Sequence, residues 1–211
     1  MVTSFAGAAP NGRLLDVAAA ERQRGAEHLL DIGCGAGRNA VPLARLGWRV
    51  VGVDLSLPMI TAAARRAAAE PELPVQFALA PMHHLPVRDA VFDVVVAHGI
   101  WNLARSGDEF RRGVAEASRA ARRGGALFVF TFSRATLASD ASPVPGESFV
   151  FTQFAGEPQC FLTEAQLLEE LAAHGFVPDP REALRELNRP RPGALQTSRA
   201  PVIYEGLFRR A

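Results

Sequence analysis

Three glycines at alternate positions follow a short apolar run near residue 30, and this feature constrains the fold more than any other. The run Leu29-Leu30-Asp31-Ile32 predicts a buried strand, and Gly33, Gly35 and Gly37 then predict a turn into a helix. A second apolar run, 49–53, ends at an aspartate. A strand, a glycine turn, a helix and a second strand with an acid at its tip together predict a nucleotide-binding unit.

The glycine spacing argues against one class of nucleotide. It differs from the G-x-G-x-x-G turn that holds a dinucleotide pyrophosphate on a helix N-terminus, and nothing in it requires a phosphate. Asp54 at the tip of the second strand can accept hydrogen bonds from both hydroxyls of a ribose. The alternative role for Asp54 is to cap the next helix, a position that Ser56 fills better.

Composition narrows the class of protein. A chain of 211 residues, 48% hydrophobic and 21% charged, suits a single α/β domain over 1–211. The net charge of +1 gives no case for a nucleic-acid partner. All 23 basic residues are arginine, which excludes a lysine Schiff base or lysine general base. Cys34 and Cys160 make no disulfide framework, so we expect a cytoplasmic protein, and no apolar run is long enough for a membrane span.

Short apolar runs alternate with helical patterns along the chain. Strands are predicted at 28–32, 49–53, 75–79, 92–97 and 126–132. Helices are predicted at 38–46, 58–69 and 108–122. The C-terminal third adds a helix from Thr163 through His174 and short strands at 176–177 and 201–208. This alternation predicts a doubly wound α/β fold, because parallel neighbouring strands need crossover helices on both faces of the sheet.

Three segments lie outside this alternation. Residues 1–24 end in a helical pattern, and we expect this N-terminal segment to cover the ligand. Residues 139–160 carry three phenylalanines and are expected to form a substrate lid, since long insertions in compact domains are often functional. The proline- and arginine-rich stretch 178–200 is either a solvated connection or an anion-binding patch.

Four motifs together resemble one family. They are Asp31-Ile32-Gly33-Cys34-Gly35-Ala36-Gly37, Val53-Asp54, Phe92-Asp93-Val94-Val95-Val96-Ala97 and Arg123-Gly124-Gly125-Ala126-Leu127. In this order and spacing they are similar to the signature of class I S-adenosylmethionine-dependent methyltransferases, over roughly residues 25–135. The resemblance implies a mostly parallel seven-stranded sheet of order 3-2-1-4-5-7-6, with the last strand antiparallel.

The same resemblance implies S-adenosylmethionine as cofactor and S-adenosylhomocysteine as product. The residues expected to bind it are Asp31, Gly33, Cys34, Gly35, Gly37, Asn39, Asp54, Leu55, Pro81, Met82 and His98. Asp31 either holds the glycine turn or reaches the ammonium group of the cofactor through water. Gly37-Arg38-Asn39-Ala40 looks like the version in small-molecule methyltransferases related to tellurite-resistance and thiopurine enzymes.

Pro81 departs from the family pattern. The family usually has an aspartate there, which holds the adenine amino group, whereas proline offers neither an acceptor side chain nor an N–H. The Met82 backbone N–H is still expected to meet the adenine ring. We therefore expect weaker cofactor binding by about one hydrogen bond, roughly 1 kcal/mol.

His98 follows the fourth strand, where the reactive methyl is expected to project. It is either a general base, since its ordinary pKa lies near neutrality, or a residue that only positions the backbone. His83 and His84 are adjacent and have no third ligand at a zinc-like spacing, so no metal site is predicted. The residues expected to contact substrate are Trp101, Asn102, Phe132 and Phe151.

These patterns predict methyl transfer by in-line displacement to a small molecule through oxygen, nitrogen, sulfur or a chalcogen. The segment after the fourth strand, beginning at His98, lacks the Asn/Asp-Pro-Pro-Tyr/Phe tetrad of methyltransferases that modify nucleic-acid amines. Two alternatives stay open: a catalytically silent S-adenosylmethionine-binding regulatory module, and an NAD(P)-dependent oxidoreductase. We expect a monomer or homodimer without nucleic-acid or membrane partners.

Overall fold

The computed structural model describes residues 9–70, 72–189 and 200–211. The first eight residues of the predicted N-terminal segment, and 190–199 of the proline- and arginine-rich stretch, lie outside the described residues. The helices are α1 (Gly12–Gln23), α2 (Ala40–Arg45), α3 (Leu57–Ala68), α4 (Gly107–Ala120) and α5 (Glu164–Ala173). The strands are β1 (His28–Ile32), β2 (Arg49–Asp54), β3 (Val75–Leu79), β4 (Phe92–His98), β5 (Ala121–Phe132), β6 (Val150–Phe151), β7 (Gln159–Cys160), β8 (Phe176–Pro178), β9 (Arg185–Leu187) and β10 (Ile203–Arg210).

The main sheet has the order β3-β2-β1-β4-β5-β10-β8. Strands β1 to β5 pair in parallel, and β10 pairs antiparallel with both β5 and β8. The predicted α/β class and strand order, including the reversed last strand, are thereby confirmed. The sheet also has an eighth strand, β9, which pairs with the start of β10, and a separate hairpin joins β6 to β7.

Several predicted boundaries differ from the observed ones. The fifth strand begins at Ala121 rather than at residue 126, and α4 ends at Ala120. Phe92 pairs with Ala121 but Val94 already pairs with Ala126, so the residues between form a bulge in which Gly124 has φ +72°. The first crossover helix begins at Ala40, later than predicted, because the turn before it extends through Asn39.

The sheet separates two apolar cores. The face under α4 and α5 buries Trp101, Phe110 and Phe149, and the face under α1 and α2 buries Trp48 and Phe128. Within the described ranges, no helix is both long and apolar enough to span a membrane.

An ion-pair network attaches the C-terminal end of α1 to the sheet. Arg209 of β10 donates to Glu21 of α1 (2.9 Å) and to Asp179 after β8 (2.6 Å), and both carboxylates are buried. Arg181 donates to the same two acids. Because α1 is held at this end, its first residue is placed at the opposite, carboxyl-terminal edge of the parallel strands.

Candidate active site

The glycine turn after β1 is held against β2. The backbone N–H groups of Gly33 and Cys34 both donate to the carbonyl oxygen of Val53, at 2.7 and 3.0 Å. Gly33, Gly35 and Gly37 have φ values of +73°, +54° and +75°, which residues with side chains rarely adopt. A Cβ at Gly33 would lie 2.6 Å from the side chain of Ile100, whereas at Gly35 nothing lies within 4 Å. The turn therefore exposes bare backbone to open space at Gly35.

Asp54 fixes the shape of this turn. Its Oδ2 accepts the N–H of Gly35 at 2.9 Å, and its Oδ1 accepts the N–H of Ser56 at 2.8 Å. Ser56 precedes α3 but its side chain makes no capping hydrogen bond. Since each carboxylate oxygen accepts more than one hydrogen bond, Asp54 retains acceptor capacity for a ligand.

A cavity of about 560 Å³ opens at the carboxyl ends of β1, β2 and β3. It brings together five residues that the sequence predicted for cofactor binding: Gly33, Asp54, Leu55, Pro81 and Met82. The rest of its wall is apolar except for Ser56, Arg105 and Glu109. The volume is typical of a small-molecule site.

Asp31 is a buried acid whose carboxylate has no hydrogen-bond partner. It is 1% exposed, and neither carboxylate oxygen has a hydrogen-bond partner. Burial raises the pKa of Asp31 to about 7, the charge of Arg38 opposes that rise, and the charge of Asp54 adds to it. Such an uncompensated carboxylate is costly unless a cation or donor meets it.

His98 lies between an aromatic ring and a cation. The Phe130 ring stacks on the imidazole at 4.0 Å between centroids and 9° between planes. Arg38 Nη2 lies 3.1 Å from Nδ1 and 3.4 Å from Nε2, so it is over the other face of the ring rather than in its plane. Burial, and then the Arg38 charge, lower the pKa of His98 to about 4. The imidazole is therefore neutral at pH 7 and a weak proton acceptor.

Asn11, the N-cap of α1, orients the His98 ring. Its Oδ1 accepts the N–H of Leu14, which directs the amide nitrogen towards the site. That nitrogen lies 2.9 Å from Glu205 Oε1 and 3.2 Å from His98 Nε2. The contact favours Nε2 as acceptor and the proton on Nδ1.

Known methyltransferases are similar to this chain in sequence. Residues 30–129 match a family model described as a methyltransferase domain. The chain is 32% identical over 152 residues to a ubiquinone biosynthesis O-methyltransferase of Methylobacterium sp. strain 4-46, covering 71% of this chain and 59% of that protein. It is 32% identical over 196 residues to 27-O-demethylrifamycin SV methyltransferase of Amycolatopsis mediterranei, covering 89% and 66%.

A solved structure has the same fold. It is the 1,6-didemethyltoxoflavin-N1-methyltransferase of Burkholderia thailandensis with bound S-adenosylhomocysteine, at a TM-score of 0.67 and 23% identity, covering 92% of this chain and 76% of that one. The chain belongs to the class I S-adenosylmethionine-dependent methyltransferases. Its match spans 46–59% of the lengths of three ubiquinone O-methyltransferases.

Several residues predicted for cofactor or substrate binding are not exposed in the cavity. Cys34 is buried with its sulfur beside Gly52, and burial raises the pKa of its thiol well above the ordinary range. Asn39 uses its Oδ1 to accept the N–H of Asn11. Trp101 is fully buried in the core under α4. These three residues shape or pack the site from behind.

The predicted substrate residues are divided between core and surface. Asn102 is buried with an Oδ1 that lacks a partner, and Phe151 is buried against Phe161. Phe132 is partly exposed at the end of β5 and packs edge-on against Phe154, which is 41% exposed at the tip of the β6–β7 hairpin. Phe132 and Phe154 thus offer an aromatic surface.

Long-range contacts bring residues to this site that the sequence analysis missed. Asn11 contacts His98 and is itself bonded to Glu205, and Glu109 reaches the cavity from α4. No local motif marks any of the three. The capping pattern of Asn11 before a helix was the nearest available signal.

The buried acid generates a stability prediction. Because the folded-state pKa of Asp31 is raised from 3.8 to about 7, the folded protein binds more protons than the unfolded chain in that window, and the Asp31 contribution to stability falls as pH rises through it. Asp31→Asn should therefore raise the free energy of unfolding by a few kcal/mol at pH 8, at roughly 1.4 kcal/mol per pKa unit. The gain should disappear near pH 4.

Urea unfolding of both proteins between pH 4 and 8 measures this difference. The contribution of His98, whose lowered pKa gives stability that rises with pH, cancels because both proteins contain it. Asp16→Asn, at an exposed acid on α1, is the control and should change little. A gain for Asp31→Asn that does not depend on pH would contradict the assignment.

Proposed function

We propose that this chain binds S-adenosylmethionine at the carboxyl edge of its sheet and transfers the methyl group to a small molecule. The buried carboxylate of Asp31, which has no hydrogen-bond partner and is influenced by the charge of Arg38, carries the proposal. The amino-acid end of S-adenosylmethionine has one ammonium and one carboxylate. An acid and an arginine in the same region of the turn match that pair of charges.

The rest of the site fits the nucleoside part of the cofactor. Asp54, already oriented by Gly35 and Ser56, has acceptor capacity for ribose hydroxyls. The cavity beyond it is walled by Leu55 and Met82 and suits an apolar purine ring. The open space at Gly35 allows a ligand to approach the backbone of the turn.

When bound, the cofactor supplies an electrophilic methyl group on a sulfonium. Asp31, Arg38 and Asp54 bind the cofactor and orient it. The side chain of Ile100 over Gly33 helps to exclude water. His98, held neutral between Phe130 and Arg38, presents an imidazole without a repelling positive charge. The site therefore works mainly by positioning.

The weak basicity of His98 limits which groups can accept the methyl group. A proton acceptor with a pKa of about 4 removes a proton from an ordinary hydroxyl only poorly. This favours a methyl acceptor that loses its proton readily, such as an acidic phenol or enol. Two relatives are named for the ubiquinone O-methyltransferase and the 27-O-demethylrifamycin SV methyltransferase reactions, which supports an oxygen acceptor.

Binding of S-adenosylhomocysteine tests the cofactor part. Gly35→Ala has room for its methyl in the ligand-free protein, so it should cost stability only through its positive φ but should weaken ligand binding by tenfold or more. Isothermal titration calorimetry with the wild type, Gly35→Ala and Asp54→Asn measures the affinities. Gly146→Ala, also at a positive φ with open space but in the loop before β6, is the matched control and should bind normally. Equal affinity of Gly35→Ala and the wild type for S-adenosylhomocysteine would contradict the proposed cofactor site.

Replacement of His98 tests how the acceptor is activated. His98→Gln keeps an acceptor for the Asn11 amide but cannot take up a proton, and we expect kcat to fall by less than about tenfold. The assay is release of S-adenosylhomocysteine with a panel of phenols, enols and thiols. A fall of a hundredfold or more, with loss of the acidic limb of the pH profile, would instead identify His98 as a general base.

The silent cofactor-binding module is the second candidate function. Pro81 in the cavity and the weak basicity of His98 favour it. The same panel separates the two functions, because a silent module would bind S-adenosylhomocysteine without turnover of any acceptor.

A further inference from the structure

The cavity has a second acidic side chain besides Asp54. Glu109, on the first turn of α4, lines the cavity together with Pro81 and Met82. The helix is held against this loop, because a Cβ at Gly113 would lie 3.5 Å from the Met82 side chain. Glu109 Oε1 lies 3.6 Å from His83 Nδ1, the residue after Met82. The acid therefore belongs to the wall on the Met82 side.

The two oxygens of Glu109 are in different situations. Oε2 accepts the backbone N–H of Arg105 at 2.8 Å, which holds the side chain at the start of the helix. The Glu109 backbone N–H donates to Ser106 Oγ at 3.1 Å. The 3.6 Å separation of Oε1 from His83 is longer than a hydrogen bond. With a quarter of the side chain exposed, Oε1 is a fixed acceptor at the cavity wall.

Adenine needs an acceptor at this end of the cavity. With the ribose on Asp54, the purine extends towards Pro81 and Met82, and its 6-amino group is a donor of two hydrogen bonds. Pro81 has no acceptor side chain to offer. The Arg105 side chain, which also lines the cavity, is only a donor.

We infer that Glu109 Oε1 accepts a hydrogen bond from the adenine 6-amino group and selects adenine against 6-oxopurines. The inference depends on the proposed function, because it requires the nucleoside to occupy this cavity. A 6-oxo group is an acceptor and would meet the carboxylate with its own lone pairs. The site then reads the purine from α4, across the cavity from β3.

Glu109→Gln provides a reversal test. Glutamine retains an oxygen for the Arg105 N–H, and its amide nitrogen then turns a donor towards the purine. Calorimetry with S-adenosylhomocysteine and S-inosylhomocysteine gives the ratio of the two affinities. The wild type should prefer the adenosine ligand by tenfold or more, and the variant should reduce that ratio by at least tenfold.

Glu147→Gln is the matched control. Glu147 Oε2 accepts the N–H of Gly107 at the start of the same helix, at 2.9 Å, but lies outside the described lining of the cavity. The Glu147→Gln variant should lower the thermal midpoint about as much as Glu109→Gln and leave the ratio of the two ligand affinities unchanged. Double substitution with Pro81→Asp should restore the preference for adenosine, because it supplies a new acceptor.

The outcomes separate the two proposals. Equal weakening of both ligands by Glu109→Gln, or no preference in the wild type, would overturn the inference while leaving the cofactor site intact. Failure of the wild type to bind either ligand would overturn the proposed function and the inference with it.

Discussion

The rest of the site depends on an acid that is buried in the sheet without a hydrogen-bond partner. Asp31 lies in β1 between Gly52 of β2 and Val96 of β4, so strands flank it on both sides. A Cβ at Gly52 would lie 2.9 Å from the Cys34 sulfur, which shows how closely the surroundings are packed. Burial of this kind destabilises the ligand-free protein, and such local conflicts are typical of binding sites rather than of structural cores. Under the proposed function, the ammonium group of the ligand is the cation that relieves it.

The position of His98 depends on the reversed strand. Because β10 inserts antiparallel between β5 and β8, Glu205 pairs with Phe130, the residue whose ring stacks on His98. Asn11 then connects Glu205 to the imidazole from the start of α1. An early and a late segment of the chain are thus connected to His98 through Asn11. The neutral state of His98 follows from burial and the Arg38 charge rather than from an acidic partner.

Local sequence patterns predicted the strands and the turn well, and long-range contacts much less so. The bounds of β1 and β3 agree with the predicted ones because each is a short apolar run between residues that end strands. The start of β5 was wrong because the bulge at Gly124 continues the pairing past a glycine pair that normally ends it. Asn11 and Glu205 are 194 residues apart, and Glu109 faces a loop about 25 residues earlier, so no local period signals either contact. The alternate glycines and the acid at the end of β2, by contrast, form local patterns, so the sequence alone predicts the turn.

The most direct test of the central claim is the number of protons released when S-adenosylhomocysteine binds. Calorimetry at pH 7 in buffers of different ionisation enthalpy measures that number. With the pKa of Asp31 near 7 in the free protein, binding of the ligand ammonium should expel about half a proton at pH 7. Asp31→Asn should expel none. Binding without proton release by the wild type, or with equal release by both proteins, would contradict the account.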